Sequence, residues 1–271
     1  MGTTGFAEAG EARLYYEIAG DGPSFVMLHA GVADHRQWQA AFEHFSASHR
    51  VLRHDQRGFG KSEPVAGDYR AIDDLQAVLD AVDLPKPLIM MGCSMGGSLA
   101  MDYTISHPEA VSALIMVCSG PSGLKLDLPH PDAFAEVEKA FDAGDLELTS
   151  ELETRIWFDG LSREPGDVDP EPRALLDEMN LVALRHETRE LGGNRQRDLE
   201  PAAYARLDEI DVPVLVVAGT LDLPFTAGAA DYMCEGIKHA RRVDIEATAH
   251  LPSMERPAEF NEAVESFLRE I

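Results

Sequence analysis

The sequence of 271 residues has little positive charge: 23 lysine and arginine residues stand against 48 aspartate and glutamate residues, for a formal net charge of −25. Such a charge repels phosphate backbones and anionic lipid surfaces. We therefore expect neither nucleic acid nor a membrane as a partner. A well-solvated surface accounts for this acidity, and a high-salt habitat is the alternative.

Cysteine is also scarce, with Cys93, Cys118 and Cys234 in the whole sequence. Their odd number, and the lack of a C-x-x-C or Cys/His ligand spacing, argue against a disulfide framework and a zinc site. We predict three buried or near-site thiols, and we expect neither a metal nor a cofactor.

Long apolar runs are absent as well. Runs such as Ala113–Cys118 and Val214–Ala218 are far shorter than the roughly 18 to 20 residues that span a bilayer. The N-terminal segment has no basic region followed by an apolar run, and Phe6 stands where a myristoylation signal needs Ser or Thr. We therefore expect a cytoplasmic protein.

The apolar residues that are present, in a chain with 45% hydrophobic residues, follow two patterns. Continuous short runs predict strands that are covered on both faces, at Phe25–Leu28, Leu88–Met91, Leu114–Val117 and Val212–Ala218. Helical spacing occupies Ile72–Val82, Ser98–Ser106 and Pro257–Leu268. Strands that alternate with helices predict an α/β fold with a parallel sheet.

This alternation stops between Leu124 and Arg206, where helix-forming residues and proline breaks leave no convincing strand. We interpret residues 124–206 as a helical insertion. The predicted core domain then consists of residues 1–123 and 207–271.

A candidate nucleophile lies in Gly92-Cys93-Ser94-Met95-Gly96, which fits the pattern G-x-S-x-G directly between a predicted strand and a predicted helix. Small neighbours at such a turn allow a strained serine to project its hydroxyl. Met95 N–H, at the helix N-terminus, is a natural donor to an oxyanion. The alternative is a serine that only caps the helix.

A serine needs a base and a group that orients the base. His250 lies between a predicted strand, Ala240–Ile245, and the last helix, in a loop that can reach inward. Asp222 follows the apolar run Val214–Ala218, where ligands approach an open parallel sheet. The alternatives are a solvated loop histidine and a turn aspartate. The chain order Ser94, Asp222, His250 is that of α/β-hydrolases.

Four motifs carry a family resemblance: His29-Ala30-Gly31-Val32, Asp55-Gln56-Arg57-Gly58-Phe59-Gly60-Lys61-Ser62, Gly92-Cys93-Ser94-Met95-Gly96-Gly97 and Ala249-His250-Leu251-Pro252. In this order the chain resembles α/β-hydrolases of the serine esterase and 3-oxoadipate enol-lactonase type. The resemblance implies a mostly parallel eight-stranded sheet flanked by helices, with a helical cap formed by the insertion.

The resemblance also implies an oxyanion hole shared between two loops, in which Gly31 N–H is the second donor beside Met95 N–H. Ala30 stands where the family usually has glycine, so Val32 is the alternative donor. His29 is expected to brace this loop. Asp55 and Arg57 are expected to form a structural turn.

Substrate contacts are expected from Val32 and from the cap. Trp157 and Phe158 could wall an apolar pocket there, and Arg155 could meet a substrate carboxylate. The alternative is that these aromatic side chains pack the cap onto the sheet and that Arg155 pairs with a nearby acid.

These observations predict hydrolysis of a small carboxylic ester or lactone through an acyl-enzyme on Ser94, with His250 and Asp222 completing the triad. Carbon–carbon bond hydrolysis or perhydrolysis on the same triad is the alternative within enzymes. A non-catalytic ligand-binding protein of the same fold is the alternative outside them. The sequence leaves the substrate and the oligomeric state open.

Overall fold

A central sheet of eight strands organises the computed structural model, which describes residues 2–129, 131–187, 195–196 and 199–271. Two further short strands pair away from this sheet. The ten strands are β1 (Thr3–Ala9), β2 (Ala12–Ala19), β3 (Ser24–Leu28), β4 (Arg50–His54), β5 (Asp68–Tyr69), β6 (Leu88–Cys93), β7 (Val111–Val117), β8 (Arg195–Gln196), β9 (Val214–Gly219) and β10 (Ala240–Ile245).

The strand order in the central sheet is β1-β2-β4-β3-β6-β7-β9-β10. β2 pairs antiparallel with both of its neighbours, and all other pairs are parallel. Every residue of β3, β6 and β9 is buried, as expected for parallel strands with helices on both faces. The predicted α/β-hydrolase fold with its mostly parallel eight-stranded sheet is therefore confirmed.

Nine α-helices lie in the described part of the chain. They are α1 (Gln39–Phe45), α2 (Ala71–Val82), α3 (Met95–Ser106), α4 (Ala133–Asp142), α5 (Leu146–Thr154), α6 (Pro170–Glu187), α7 (Pro224–Gly236), α8 (Pro252–Glu255) and α9 (Pro257–Leu268). α3 begins at Met95, the residue expected at the helix N-terminus, three residues before the helical spacing that starts at Ser98.

The sheet separates two apolar layers. Alternate residues of β3 point to opposite sides, so Val26 and Leu28 join one layer while Phe25 and Met27 join the other. The second layer also contains Phe158, Leu176 and Met179 from the insertion. The insertion thus shares the core of the sheet, and its separation as a cap at residues 124–206 stays a prediction.

The insertion contributes α4, α5, a π-helical turn at Arg155–Asp159 and α6. It also contains β8, which pairs in parallel with β5. The prediction that the insertion has no strand was wrong at this point. A strand of two residues is too short to produce a recognisable apolar pattern.

Within the described ranges, no helix is both long enough and apolar enough to cross a membrane. The longest helix, α6, has 18 residues and carries charged side chains along its length, among them Arg173, Asp177 and Arg185. The cytoplasmic location stays a prediction.

Candidate active site

The candidate residues lie in loops at the carboxyl ends of neighbouring parallel strands. Gly31 follows β3, Ser94 follows β6, Asp222 follows β9 and His250 follows β10. In the sheet, β3 and β6 are adjacent, and β7 separates β6 from β9. Carboxyl ends of parallel strands meet at one edge, where open α/β sheets bind ligands.

Ser94 occupies a strained turn between β6 and α3. Its backbone has φ 51° and ψ −118°, a conformation that residues with a side chain rarely adopt. Ser94 N–H donates to Val117 O at 2.9 Å, and Ser94 O accepts from Gly97 N–H and Ser98 N–H. The Ser94 side chain makes no capping hydrogen bond to the helix. The interpretation of Ser94 as a mere helix cap is therefore not realised.

Glycines next to Ser94 let three backbone segments approach closely. A Cβ atom on Gly96 would overlap with Leu28 O at the end of β3, and a Cβ atom on Gly92 would overlap with Gly96 O. The start of α3 therefore packs directly against the end of β3. This contact brings the loop after β3 close to the turn of Ser94.

Asp222 and His250 form a buried pair. His250 Nδ1 lies 2.8 Å from Asp222 Oδ2, and Asp222 Oδ1 accepts from Leu223 N–H at 2.7 Å. The side chains of His250 and Asp222 are only 5% and 2% exposed. A carboxylate at Nδ1 fixes the histidine tautomer that presents Nε2 as the base. The interpretation of His250 as a solvated loop residue is thus wrong.

The residue before Ser94 contacts the loop of His250. Among the described residues, no hydrogen bond joins Ser94 Oγ to His250. The preceding residue, Cys93, does contact the histidine: its Sγ lies 3.5 Å from His250 O. Catalytic hydrogen bonds are often long in unliganded enzymes and tighten when substrate binds.

The loop after β3 faces the first residue of α3. A Cβ atom on Gly31 would lie 3.8 Å from Met95 Cβ, and Ala33 N–H donates to Ala30 O at 3.1 Å to close a turn. This turn leaves the N–H groups of Gly31 and Val32 outside its hydrogen bond. Ala30 is not among the residues with positive φ, so alanine fits this position without strain. The choice between Gly31 and Val32 as donor stays open.

His29 braces this loop as predicted. Its Nε2 accepts from Gln56 N–H at 2.9 Å, so its Nδ1 carries the hydrogen and donates to Ala30 O at 2.8 Å. The ring is fully buried, and burial lowers the pKa of His29, which favours the neutral form that this pattern requires.

Asp55 and His35 form the centre of a buried ionic network below the same loop. Asp55 accepts from His35 N–H at 2.8 Å, from His35 Nδ1 at 2.7 Å and from Lys61 N–H at 2.8 Å. Glu17 lies 3.4 Å from His35 Nε2. Burial alone would lower the pKa of His35, but its bonds to Asp55 and Glu17 outweigh burial and raise it to about 9. His35 is therefore a cation at neutral pH.

The turn after β4 is structural, as predicted. Arg57 forms an ion pair with Asp74 of α2 at 2.6 Å. Gly60 has φ 49°, and a Cβ atom there would overlap with the Asp55 carboxylate. Glycine at this position therefore lets the backbone wrap around the buried carboxylate.

The insertion places its two predicted aromatic residues, Trp157 and Phe158, differently. The ring centroid of Trp157 lies 4.5 Å from that of His250, and Phe134 packs edge-on against Trp157 at 5.7 Å. Phe158 is only 1% exposed and belongs to the second apolar layer of the sheet. The structure thus brings Trp157 to His250, whereas Phe158 packs in the core. Neighbours on a helical turn point in different directions, which the sequence analysis did not consider.

The structure also gives the surroundings of Arg155 and Val32, the other two residues expected to contact substrate. Arg155 Nε donates to Glu151 Oε1 at 2.9 Å, so the expected alternative of pairing with a nearby acid describes this side chain. Val32 is half-buried and packs against the second apolar layer beside the turn that it shares with Gly31.

In the part of the chain that the structure describes, two groups of side chains bring metal-binding atom types within 4.8 Å of one another: Cys118 with Asp222 and His250, and Asp34 with His35 and Asp55. In both groups the histidine is already hydrogen-bonded to an aspartate. The Cys118 thiol also stays protonated, because burial and then the charge of Asp222 raise its pKa well above the ordinary value. These contacts are those of hydrogen-bond networks.

Glu255 is a neighbour of the site that the sequence analysis missed. Its Oε1 accepts from Ala249 N–H at 2.8 Å, and its Oε2 pairs with Arg163 of the insertion at 2.6 Å. Glu255 thereby ties the loop of His250 to the insertion. An acid shortly after a loop histidine forms no distinctive pattern, so this role of Glu255 has no signal in the sequence.

Comparison with known proteins identifies the family of this chain. A model of the family described as alpha/beta hydrolase fold matches residues 23–257. The chain belongs to this family. It is 29% identical over 255 residues to a pimeloyl-[acyl-carrier protein] methyl ester esterase of Aeromonas hydrophila subsp. hydrophila, covering 93% of this chain and 98% of the relative.

A second relative is 3-oxoadipate enol-lactonase 2 of Acinetobacter baylyi, 26% identical over 268 residues, with 96% of this chain and 95% of the relative covered. The crystal structure of the enol-lactonase from Burkholderia xenovorans superposes on this structure with a TM-score of 0.79 at 21% sequence identity. The match covers 98% of this chain and 100% of the enol-lactonase. The predicted resemblance to esterases and enol-lactonases is confirmed.

Proposed function

We propose that this protein is a serine hydrolase that cleaves a small carboxylic ester or lactone with Ser94, His250 and Asp222. The observation that carries the proposal is the juxtaposition of two features at one sheet edge. Ser94 is held at φ 51° on the turn into α3, and the residue before it, Cys93, contacts the loop of a buried histidine–aspartate pair whose side chains are 2.8 Å apart. Neither feature is needed for a stable sheet, and strained residues cluster at active sites.

In the proposed reaction, Ser94 Oγ attacks the carbonyl carbon while His250 Nε2 takes the hydroxyl proton. Asp222 holds the ring and stabilises the imidazolium that forms. The tetrahedral intermediate collapses, the C–O bond to the leaving alcohol breaks, and His250 returns the proton to that oxygen. Water then attacks the acyl-enzyme by the same path and releases the acid.

The developing oxyanion would lie between Met95 N–H and the turn at Gly31. Met95 is the first residue of α3, and the first N–H groups of a helix have no partner within it. The helix dipole adds a favourable field there. Loss of one such donor typically costs roughly 10² to 10³ in kcat.

The proposed substrate is a small ester or lactone with an apolar portion. Trp157 beside the His250 ring and Val32 beside Gly31 supply apolar surface on two sides of the site. Two relatives support this class of substrate, because one is named a pimeloyl-[acyl-carrier protein] methyl ester esterase and the other a 3-oxoadipate enol-lactonase. Phe158 is left out of the proposed substrate contacts because it is buried in the core.

The test compares the wild type with Ser94→Ala on short p-nitrophenyl esters and on a set of lactones. We expect the substitution to lower kcat by at least about 10³-fold, because the nucleophile is lost while the fold is kept. Circular dichroism checks the fold of the variant. Equal activity of both proteins would overturn the proposal.

Further substrates added to these esters and lactones separate the alternative functions. Dienoic diketones report carbon–carbon bond hydrolysis, and peroxide with a carboxylic acid reports perhydrolysis. Saturable binding of an ester without turnover would identify a ligand-binding protein instead.

A further inference from the structure

Two thiols lie directly behind the proposed base. Cys93 Sγ lies 3.5 Å from His250 O, and Cys118 Sγ lies 3.7 Å from Ala249 O. The two thiols come from the ends of neighbouring strands, β6 and β7, and they meet consecutive carbonyl groups of one loop. We refer to Cys93 and Cys118 as the thiol pair.

Both members of the thiol pair act as neutral donors. Burial raises the pKa of Cys93 to about 12, and burial followed by the charge of Asp222 raises the pKa of Cys118 well above its ordinary value. Each sulfur therefore keeps its hydrogen at neutral pH. The proposed reaction uses neither thiol as a nucleophile.

The backbone groups of the His250 loop need these donors. Ala249 N–H bonds to Glu255 Oε1 at 2.8 Å, and His250 N–H bonds to Trp157 O at 3.1 Å. The carbonyl groups of the same two residues meet the thiol pair. Ala249 is fully buried, and its O packs so tightly on Gly219 that a Cβ atom there would overlap with it. A buried carbonyl without a donor is costly.

Cys118 also lies next to Asp222 and His250. It has φ 45°, which is rare for a residue with a side chain, and its N–H donates to Val217 O at 2.8 Å. One ligand atom each of Cys118, Asp222 and His250 lie within 4.8 Å of one another. A strained backbone that directs one side chain to a functional pair points to a role at that pair.

We propose that the thiol pair positions His250 against Asp222, with Cys118 as the main positioning residue. The inference rests on the proposed function, because it assigns a role in orienting the base of that reaction. The thiols hold the loop through Ala249 O and His250 O, and the loop in turn holds the ring at hydrogen-bond distance from Asp222. A displacement of the loop would lower turnover more than substrate binding.

The test uses Cys118→Ala, Cys118→Ser and Cys93→Ala, with Cys234→Ala as the matched control. Cys234 is a half-buried thiol of α7. Besides burial, the charges of Arg242, Asp231 and Asp244 influence its pKa, and none of these residues belongs to the site. We expect Cys118→Ala to lower kcat about tenfold with little change in KM, because one hydrogen bond to a buried carbonyl is lost. Cys118→Ser keeps a donor and should retain most of kcat, and Cys234→Ala should match the wild type.

A second readout does not depend on turnover. The proton between His250 Nδ1 and Asp222 gives a proton NMR signal far downfield, which a change in that contact should shift. We expect the shift in Cys118→Ala and not in Cys234→Ala. A role in stability alone would lower the melting temperature of Cys118→Ala and leave this signal, kcat and the pH profile of kcat unchanged, and that result overturns the inference.

The outcomes also separate this inference from the proposed function. If the wild type cleaves esters and Ser94→Ala does not, while both Cys118→Ala and Cys93→Ala behave as wild type, only the role of the thiol pair is wrong. If the wild type cleaves no ester or lactone, the proposed function fails first. If Cys118→Ala does not fold, Cys93→Ala and the rescue in Cys118→Ser decide the inference by the same measurements.

Discussion

The two sides of Ser94 are held by different kinds of interaction. On the side of Gly31, the loop rests on buried charges, with the Asp55 carboxylate bonded to the cationic ring of His35. On the side of His250, the loop is held by Trp157 O and by two protonated thiols, with Glu255 as the charged partner of its backbone.

This difference fits the work proposed for each side. The Gly31 side has to present fixed N–H groups, and preorganised donors are effective because they do not rearrange during the reaction. In the proposed reaction, the His250 side carries a ring that gains and loses a proton in every cycle. Neutral thiols behind that ring hold the backbone without adding a second negative charge next to Asp222.

The largest effect is expected from removing the charge at the centre of the Gly31 side. Asp55→Asn removes the carboxylate nearest to the buried His35 cation, at 2.7 Å, and leaves those of Glu17 and Asp34 at 3.4 and 3.7 Å. Breaking a buried ion pair typically costs about 3 to 5 kcal/mol. We expect the free energy of unfolding, measured by urea titration, to fall by this amount. Asp73→Asn is the control, since Asp73 is 65% exposed and pairs with Arg70 only at 3.6 Å. Equal stability of Asp55→Asn and the control would contradict the described network.

A smaller effect is expected from pH, again on the Gly31 side. The pKa of His35 is raised to about 9, so its stabilising contribution is complete below about pH 6.5 and is lost as the pH rises towards 9. The thiol pair also makes the fold less stable at high pH. Because the pKa values of both thiols are raised, the folded protein keeps their protons at a pH where the unfolded chain releases them.

The contribution of His35 is isolated by subtracting the unfolding free energy of His35→Gln from that of the wild type at each pH. The thiol terms cancel in this difference, which should shrink between about pH 6.5 and 9. His29 behaves in the opposite sense, since its lowered pKa stabilises the fold above its ordinary range and the effect is lost on acidification. A difference that stays constant with pH would show that His35 is not charged.

On the His250 side, a moderate effect is expected from Trp157→Ala. The indole packs on the His250 ring and is proposed to contact substrate, so we expect KM for an apolar ester to rise about tenfold through lost apolar contact. Trp157→Phe keeps much of that apolar surface, so its KM should lie between those of the wild type and Trp157→Ala. An unchanged KM in Trp157→Ala would remove this residue from the proposed substrate contacts.

The sequence predicted those parts of the site that depend on strand ends and chain order. Ser94, Asp222 and His250 each follow a predicted strand, and parallel strands carry their carboxyl ends to one edge. The structure brings Asp222 and His250 into contact there. The brace by His29 and the structural turn at Asp55 were also predicted, on the basis of the family motifs.

Other features depend on contacts that no local pattern encodes. The direction of Phe158 is set by the π-helical turn at Arg155–Asp159. β8 exists because β5 lies next to it, and two residues give no periodic pattern. Cys118 could be predicted as a buried thiol, but its meeting with Ala249 O requires strands and loops far apart in the sequence to pack together.

The most direct test of the proposed nucleophile is mass spectrometry of the protein after reaction with a fluorophosphonate, followed by peptide mapping. The account predicts one adduct per chain, on the hydroxyl of Ser94, and no adduct in Ser94→Ala. Labelling of the wild type at a different residue, or equal labelling of Ser94→Ala, would contradict it.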